Sequence, residues 1–280
     1  MANADNSPVT FWRASERFEG LVTGFHRFRL GLPSAVPFRD VFFPSFATIR
    51  FAIEDARPWS MRLGARRFDM PFASFAGPTD VAGWVEAQGG AVVGLGLRAQ
   101  GWARLFGGDL SAYANRVVPL STLDIGADAL LDKLDGCEHP PAVFERWLDC
   151  LLAARRTVDP RLTRLEALIA DAATARIETL AEELDLTARQ LGTLSRRNFG
   201  FTPKVLLRRR RFLRALSVTL DAAPEESGGL LAEAGYWDRS HFLRDAHLFL
   251  GCSIREFRQR RGPLHALVMQ TRAEVLGAPV

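Results

Sequence analysis

The chain has 280 residues, 48% of them hydrophobic and 24% charged, with a formal net charge of +4. That length suits two domains with separate cores, and no apolar run is long enough to cross a bilayer. Cys137, Cys150 and Cys252 are too scattered for a disulfide framework, and His139 beside Cys137 lacks a second ligand pair, so neither a metal nor a cofactor is expected.

In the N-terminal half, residues 46–53 and 91–97 are rich in strand formers and bounded by Pro or Gly, and residues 59–63 alternate as a half-buried strand does. Pro33, Pro37, Pro44, Pro58, Pro71 and Pro78 mark turns and exclude long helices. Phe25, Phe28, Phe42, Phe43, Phe46, Trp59, Phe72 and Phe75 suit an apolar pocket, and an ordinary core better. Gly94, Gly96 and Ala99 touch the dinucleotide-binding fingerprint, but no βαβ unit surrounds them, and Asp109 and Asp124 fit the ribose-binding role poorly. Close packing of a strand is the simpler reading of those glycines. The acidic pair Glu54 and Asp55 stands alone, and no nucleophile–base arrangement has motif context, so an enzyme is not expected.

After residue 100 the pattern turns helical, over 102–106, 127–134 and 142–155. The last of these carries Val143, Phe144, Trp147, Leu148, Leu151 and Leu152 on one face. A boundary is expected in residues 155–159, dividing residues 1–157 from 158–264 and leaving 265–280 as a C-terminal tail. Pro160 stands near the start of the next helix, whose stripe is Leu162, Leu165, Leu168 and Ile169. The charge also divides there. Residues 1–154 hold 15 Lys and Arg against 17 Asp and Glu, whereas residues 155–280 hold 21 against 15, which suits a polyanionic partner.

The basic half repeats itself. Leu191 and Phe242, Gly200 and Gly251, and Pro203 and Ile254 are each 51 positions apart; upstream of the turn the offset is 50, because the second copy holds one extra turn residue. Each copy reads as a short helix, a tight turn and a second helix ended by glycine, a helix-turn-helix unit. In the first unit Asp185 and Leu186 make the turn and Thr187 caps the second helix. That helix exposes Arg189, Gln190, Thr193, Arg196 and Arg197. Arg189 and Gln190 lie near its start, where Arg and Gln pair bidentately with guanine and adenine, while Arg196 and Arg197 suit phosphates. The second unit offers Arg239, Ser240, His241, Leu243 and Arg244 over a buried Phe242. Between the units a helix over 203–220 carries Arg208, Arg209, Arg210 and Arg211, which point all round it and cannot all reach DNA; some are expected to hold acidic residues.

These residues resemble the AraC/XylS family of bacterial transcription regulators. The resemblance covers about residues 165–262. It rests on Gly200, Phe201, Thr202 and Pro203, on Arg211 with Ala215, and on the run from Gly235 to Phe242 followed by Arg244 and Gly251. It implies an α+β chain: a mixed β-rich, cupin-like barrel with C-terminal helices, then an all-α double helix-turn-helix domain. Ser195 and Ala246 stand where that family usually buries Phe, with Phe199 and Phe249 one turn later expected to take over. Thr193, Gly192, Leu231 and Ile254 also depart from its pattern.

The resemblance implies a sequence-specific transcription regulator with recognition helices in successive major grooves, controlled through the N-terminal half by a small-molecule effector or by dimerisation. Duplex DNA is the expected partner, with RNA polymerase and a second copy of the chain as further candidates, in the cytoplasm and without a membrane. The alternative is a degenerate module that binds DNA without specificity or binds another protein.

Overall fold

The computed structural model describes residues 7–30, 37–54, 59–125, 127–154, 156–171, 176–220 and 227–277. Pro33, Asp55, Pro58 and Arg155 lie outside these. The first half runs β1 (Val9–Trp12), α1 (Glu16–Glu19), β2 (Val22–Arg29), β3 (Phe38–Phe42), β4 (Thr48–Ile53), β5 (Trp59–Leu63) and β6 (Arg66–Met70). It continues with β7 (Ala73–Ala76), β8 (Gly83–Ala87), β9 (Ala91–Leu97), α2 (Ala99–Leu105), β10 (Val117–Pro119), α3 (Asp128–Leu134) and α4 (Pro140–Leu152). Then follow α5 (Arg161–Ala170), α6 (Ile177–Glu183), α7 (Ala188–Phe199), α8 (Pro203–Thr219), α9 (Ser227–Glu233), α10 (Arg239–Leu250), α11 (Ile254–Arg260) and α12 (Pro263–Leu276).

The strands pair antiparallel in two sheets, ordered β1-β2-β9-β4-β7-β10 and β3-β8-β5-β6. In β9, all seven residues are buried between β2 and β4. A strand covered on both faces needs apolar side chains throughout and small ones where backbones close in. A Cβ on Gly94 would stand 2.3 Å from the Ile49 carbonyl oxygen, so the glycine there serves close packing. One face of this sheet buries Phe25, Ile49, Phe51, Phe75 and Leu95 under the helices, with Phe25 stacked on Phe144 of α4 at 5.5 Å. Trp59, Met61 and Val85 of the other sheet pack with Phe28 and Val92. Most of the N-terminal aromatics are therefore core, while Phe72 is exposed.

The expected strands at 46–53, 59–63 and 91–97 form, as do the expected helices, with starts and ends shifted by a few residues. Strand β2 escaped the reading because His26 and Arg27 inside it are buried, at 6% and 4% exposure, and disguise its apolar character. The expected tail contains a helix. Residues 263–276 form α12, which returns to lie against β1 and β3. Pro263 occupies its first turn, where the missing N–H costs nothing. Its cap comes from across the molecule: the Asp40 carboxylate accepts from Gly262 N–H and His265 N–H, both at 2.9 Å. A cap supplied 225 residues away leaves no local signal.

The two halves share apolar cores. Val41, Phe43 and Ala82 join a cluster with Phe212, Phe249 and Phe257, and Ala99 joins one with Leu191 and Phe199. Ala82 N–H donates to the Phe249 carbonyl at 2.6 Å and Trp84 Nε1–H to the Leu250 carbonyl at 3.3 Å. Asp40→Ala removes the cap of α12 and is expected to destabilise the protein by about 1–2 kcal/mol. Urea unfolding measures the loss, and hydrogen exchange locates it as faster exchange in α12 than in β9.

Candidate DNA-binding interface

The repeat seen in sequence is a repeat in backbone conformation. Asp185 (φ 51°) and Gly235 (φ 83°), 50 positions apart, take the left-handed turn after α6 and α9. In both turns the next residue returns to the helix, with Leu186 N–H donating to Ala181 C=O and Tyr236 N–H to Leu231 C=O, each at 2.9 Å. Trp237 follows as the inserted residue, after which the offset is 51. Thr187 and Asp238 then cap α7 and α10: the Thr187 Oγ1 accepts from Gln190 N–H, and the Asp238 carboxylate accepts from His241 N–H at 2.7 Å. Gly200 (φ 82°) and Gly251 (φ 71°) end both helices in the left-handed conformation that glycine adopts without strain. Thr202 and Ser253 cap the helices that follow.

Helices α7 and α10 are the second helices of the two units, and their inner faces confirm the displaced aromatic plugs. Phe199 and Phe249 are buried, and Phe249 stacks on Phe212 of α8 at 5.2 Å. At the position where a Phe was missing in the first unit, the fully buried Ser195 donates its hydroxyl to the Phe201 carbonyl at 2.7 Å, satisfying a polar group that burial would otherwise penalise. Ala246 is buried in the same apolar cluster as Phe249.

The outward faces carry the residues singled out in sequence. Arg189, Gln190, Thr193, Arg196 and Arg197 are exposed on α7; Arg239, Ser240, Leu243 and Arg244 are exposed on α10. Three of the residues singled out in sequence, Gln190, Thr193 and His241, have their chemistry partly committed. The Gln190 Oε1 accepts from Thr187 N–H and Oγ1–H at 2.9 and 2.8 Å, completing a capping box, which leaves its NH2 as the free end. Thr193 donates its hydroxyl to the Arg189 carbonyl at 3.0 Å. His241 is half-buried, its Nε2 3.1 Å from Arg211 Nη2 and its ring edge-on to Tyr236. An arginine can only donate, so Nε2 is the acceptor and Nδ1 carries the proton.

All four consecutive arginines of α8 are engaged within the protein. Arg208 and Arg211 converge on Asp245 of α10, with N···O distances of 2.6 and 3.5 Å, and the Tyr236 hydroxyl donates to the same carboxylate at 2.6 Å. Asp245 is wholly buried. Burial and that hydrogen bond push the Tyr236 phenol far above its usual range, so it stays a donor. Arg209 points the opposite way and donates to the Thr79 carbonyl at 2.7 Å. Arg210 donates to the carbonyls of Ile169 and Asp171 at the end of α5. The exposed cations of α8 are Lys204 and Arg214, which with Trp237 and His241 line a groove of about 700 Å³. Sequence reading did not single out Trp237, whose side chain is 98% exposed; its status as the one unmatched residue of the repeat was the available signal. Asp245→Ala leaves two half-buried guanidiniums and the Tyr236 hydroxyl without their acceptor and, with the solvent exposure of both arginines, is expected to cost about 1–3 kcal/mol, read as a lowered urea midpoint with Arg239 and Arg244 untouched.

Residues 180–260 match the model of a family described as a helix-turn-helix domain. No curated protein matches the chain. Among solved structures it is similar to ToxT from Vibrio cholerae, at TM-score 0.46 and 8% identity over 85% of this chain and 98% of that one. Wild-type ToxT from Vibrio cholerae bound to an unsaturated fatty acid aligns at TM-score 0.43 and 10% identity, over 83% and 98%. The AraC-like transcriptional activator CuxR aligns at TM-score 0.27 and 14% identity, over 80% and 90%. Residues 180–260 are therefore a helix-turn-helix domain.

Proposed function

We propose that the chain reads a specific duplex sequence with α7 and α10 placed in successive major grooves, about 34 Å apart on one face of the DNA. The observation that carries this reading is the pairing of two equivalent helices, each with exposed arginines, on a single rigid α8. Arg239 and Arg244 are the main readers of the second unit and Arg189 of the first, since an unpaired guanidinium matches the two acceptors of guanine. Gln190 contributes less to recognition than its residue type suggests, because its carbonyl oxygen holds the helix cap. Arg196 and Arg197, a turn or more along, suit phosphates, and Lys204 and Arg214 extend the basic surface. Control by a small molecule or by self-association lies with the N-terminal half, which packs directly on α7, α8 and α11.

Selection of bound fragments from a random DNA pool tests this reading. The expected product is a motif of two elements one helical turn apart; binding with no enriched motif would sink it and favour the non-specific module. Arg239→Ala and Arg244→Ala are each expected to lose about 1–3 kcal/mol at particular base pairs, whereas Arg197→Ala weakens all sequences alike and flattens the salt dependence. For the first unit, Arg189→Ala is expected to reduce the enriched motif to the single element read by α10. A motif unchanged by that substitution would remove α7 from recognition.

A further inference from the structure

Between the first sheet and α12 lies a cavity of about 80 Å³. Its wall includes Phe11, Phe28, Phe42, His26, Arg50 and Arg272, and no acidic residue among the described residues lines it. Arg50, on β4, is only 9% exposed, and its buried Nε has no hydrogen-bond partner. Its guanidinium lies 5.1 Å over the Phe42 ring, and no ion pair to it is found among the described residues. Arg272, on α12, also leaves a buried Nε unpartnered, as does the buried His26 at Nε2. Burial, and then the charges of Arg50 and Arg272, hold His26 well below its ordinary pKa of 6.5, so the imidazole is neutral. Burial lowers Arg50 to about 10, which leaves it a cation at neutral pH.

Elsewhere among the described residues, buried charges find partners. Asp245 has two arginines and a phenol, Arg209 has backbone carbonyls, and Asp40 has three backbone N–H groups. A desolvated, unanswered cation opposes folding, so two beside one cavity mark a place for an anion from outside the chain. The phenyl rings and the side chains of Val268, Met269 and Leu276 make the rest of the wall apolar, which an inorganic anion would leave unmatched. We propose that Arg50 and Arg272 bind the carboxylate of a small organic acid whose apolar body lies against Phe11, Phe28, Phe42 and Met269.

This inference rests on the small-molecule control proposed above and specifies its chemistry. The volume is below the roughly 300 Å³ at which most ligand pockets begin, so an acid of more than a few heavy atoms must displace α12. Helix α12 directly follows α11, so a ligand that grips Arg272 acts on the end of the DNA-binding domain.

The test is calorimetric titration and thermal unfolding of the full chain with butyrate, hexanoate and benzoate, against hexanamide, benzamide and inorganic phosphate. At least one carboxylate is expected to bind and raise the unfolding midpoint, its amide and phosphate are not, and Arg50→Gln or Arg272→Gln is expected to weaken that carboxylate at least tenfold. Without ligand, Arg50→Met is expected to unfold at or above the wild-type midpoint, because it removes a desolvated charge. The proposal is overturned if no carboxylate binds, if amides or phosphate bind equally well, or if both Gln variants keep wild-type affinity. A lowered Arg50→Met midpoint would overturn it too, by making the arginine structural. Carboxylate binding by a chain that selects no DNA motif would instead overturn the DNA-reading proposal alone.

Discussion

The buried carboxylate of Asp245 is the point on which the C-terminal half depends. It belongs to α10, yet the groups that neutralise it come from α8 and from the turn before α10, so the second unit cannot rotate on its support without exposing an unpaired charge. Once Arg208 and Arg211 are committed to that carboxylate, the rest of the arginine run has its directions set by helical geometry. Arg209 falls on the side of the β-rich half and Arg210 on the side of α5. One helix thus ties together the second unit, the first sheet's neighbourhood and the helix leading into the first unit, each through guanidinium hydrogen bonds that reach fixed oxygen atoms.

The basic run of α8 is thus engaged within the protein. A guanidinium that ends on a buried carboxylate or a backbone carbonyl gives its five donors to the protein, and moving it to a phosphate would strand its partner. Arg189, Arg196 and Arg197 of α7 and Arg239 and Arg244 of α10 stay exposed to solvent, on helices whose two ends are defined by capping at Thr187 and Asp238 and by glycine stops at Gly200 and Gly251. Rigidity is supplied from within, by aromatic stacking of Phe249 on Phe212 and by the Ser195 hydroxyl on the Phe201 carbonyl, so the exposed faces can be spent on polar residues.

The contrast with Arg50 and Arg272 is electrostatic. In the connecting helix every desolvated cation is matched, whereas at the cavity under α12 the matching anion is missing from the lining. The helix that closes this cavity is itself held by Asp40 of β3 and is continuous with the DNA-binding domain. The proposed ligand site and the helix-turn-helix domain therefore adjoin on one short stretch of chain, residues 260–276.

Local signals made the C-terminal half legible. Turn residues, caps and glycine stops are properties of a few neighbouring residues, and a repeat offset of 50 and then 51 doubles each of them, so two helix-turn-helix units and the displaced Phe199 and Phe249 could be read from sequence. So could the strands at β4, β5 and β9, whose strand formers stand between Pro or Gly. What only the tertiary structure decided depends on residues far apart in the chain. Burial of His26 and Arg27 inside β2 hid its apolar surroundings, and the cap of α12 by Asp40 turned an expected tail into a helix. The partners of the four arginines, and the absence of one for Arg50 in its cavity, follow from packing, because a guanidinium's charge is evident in the sequence but what it faces is not.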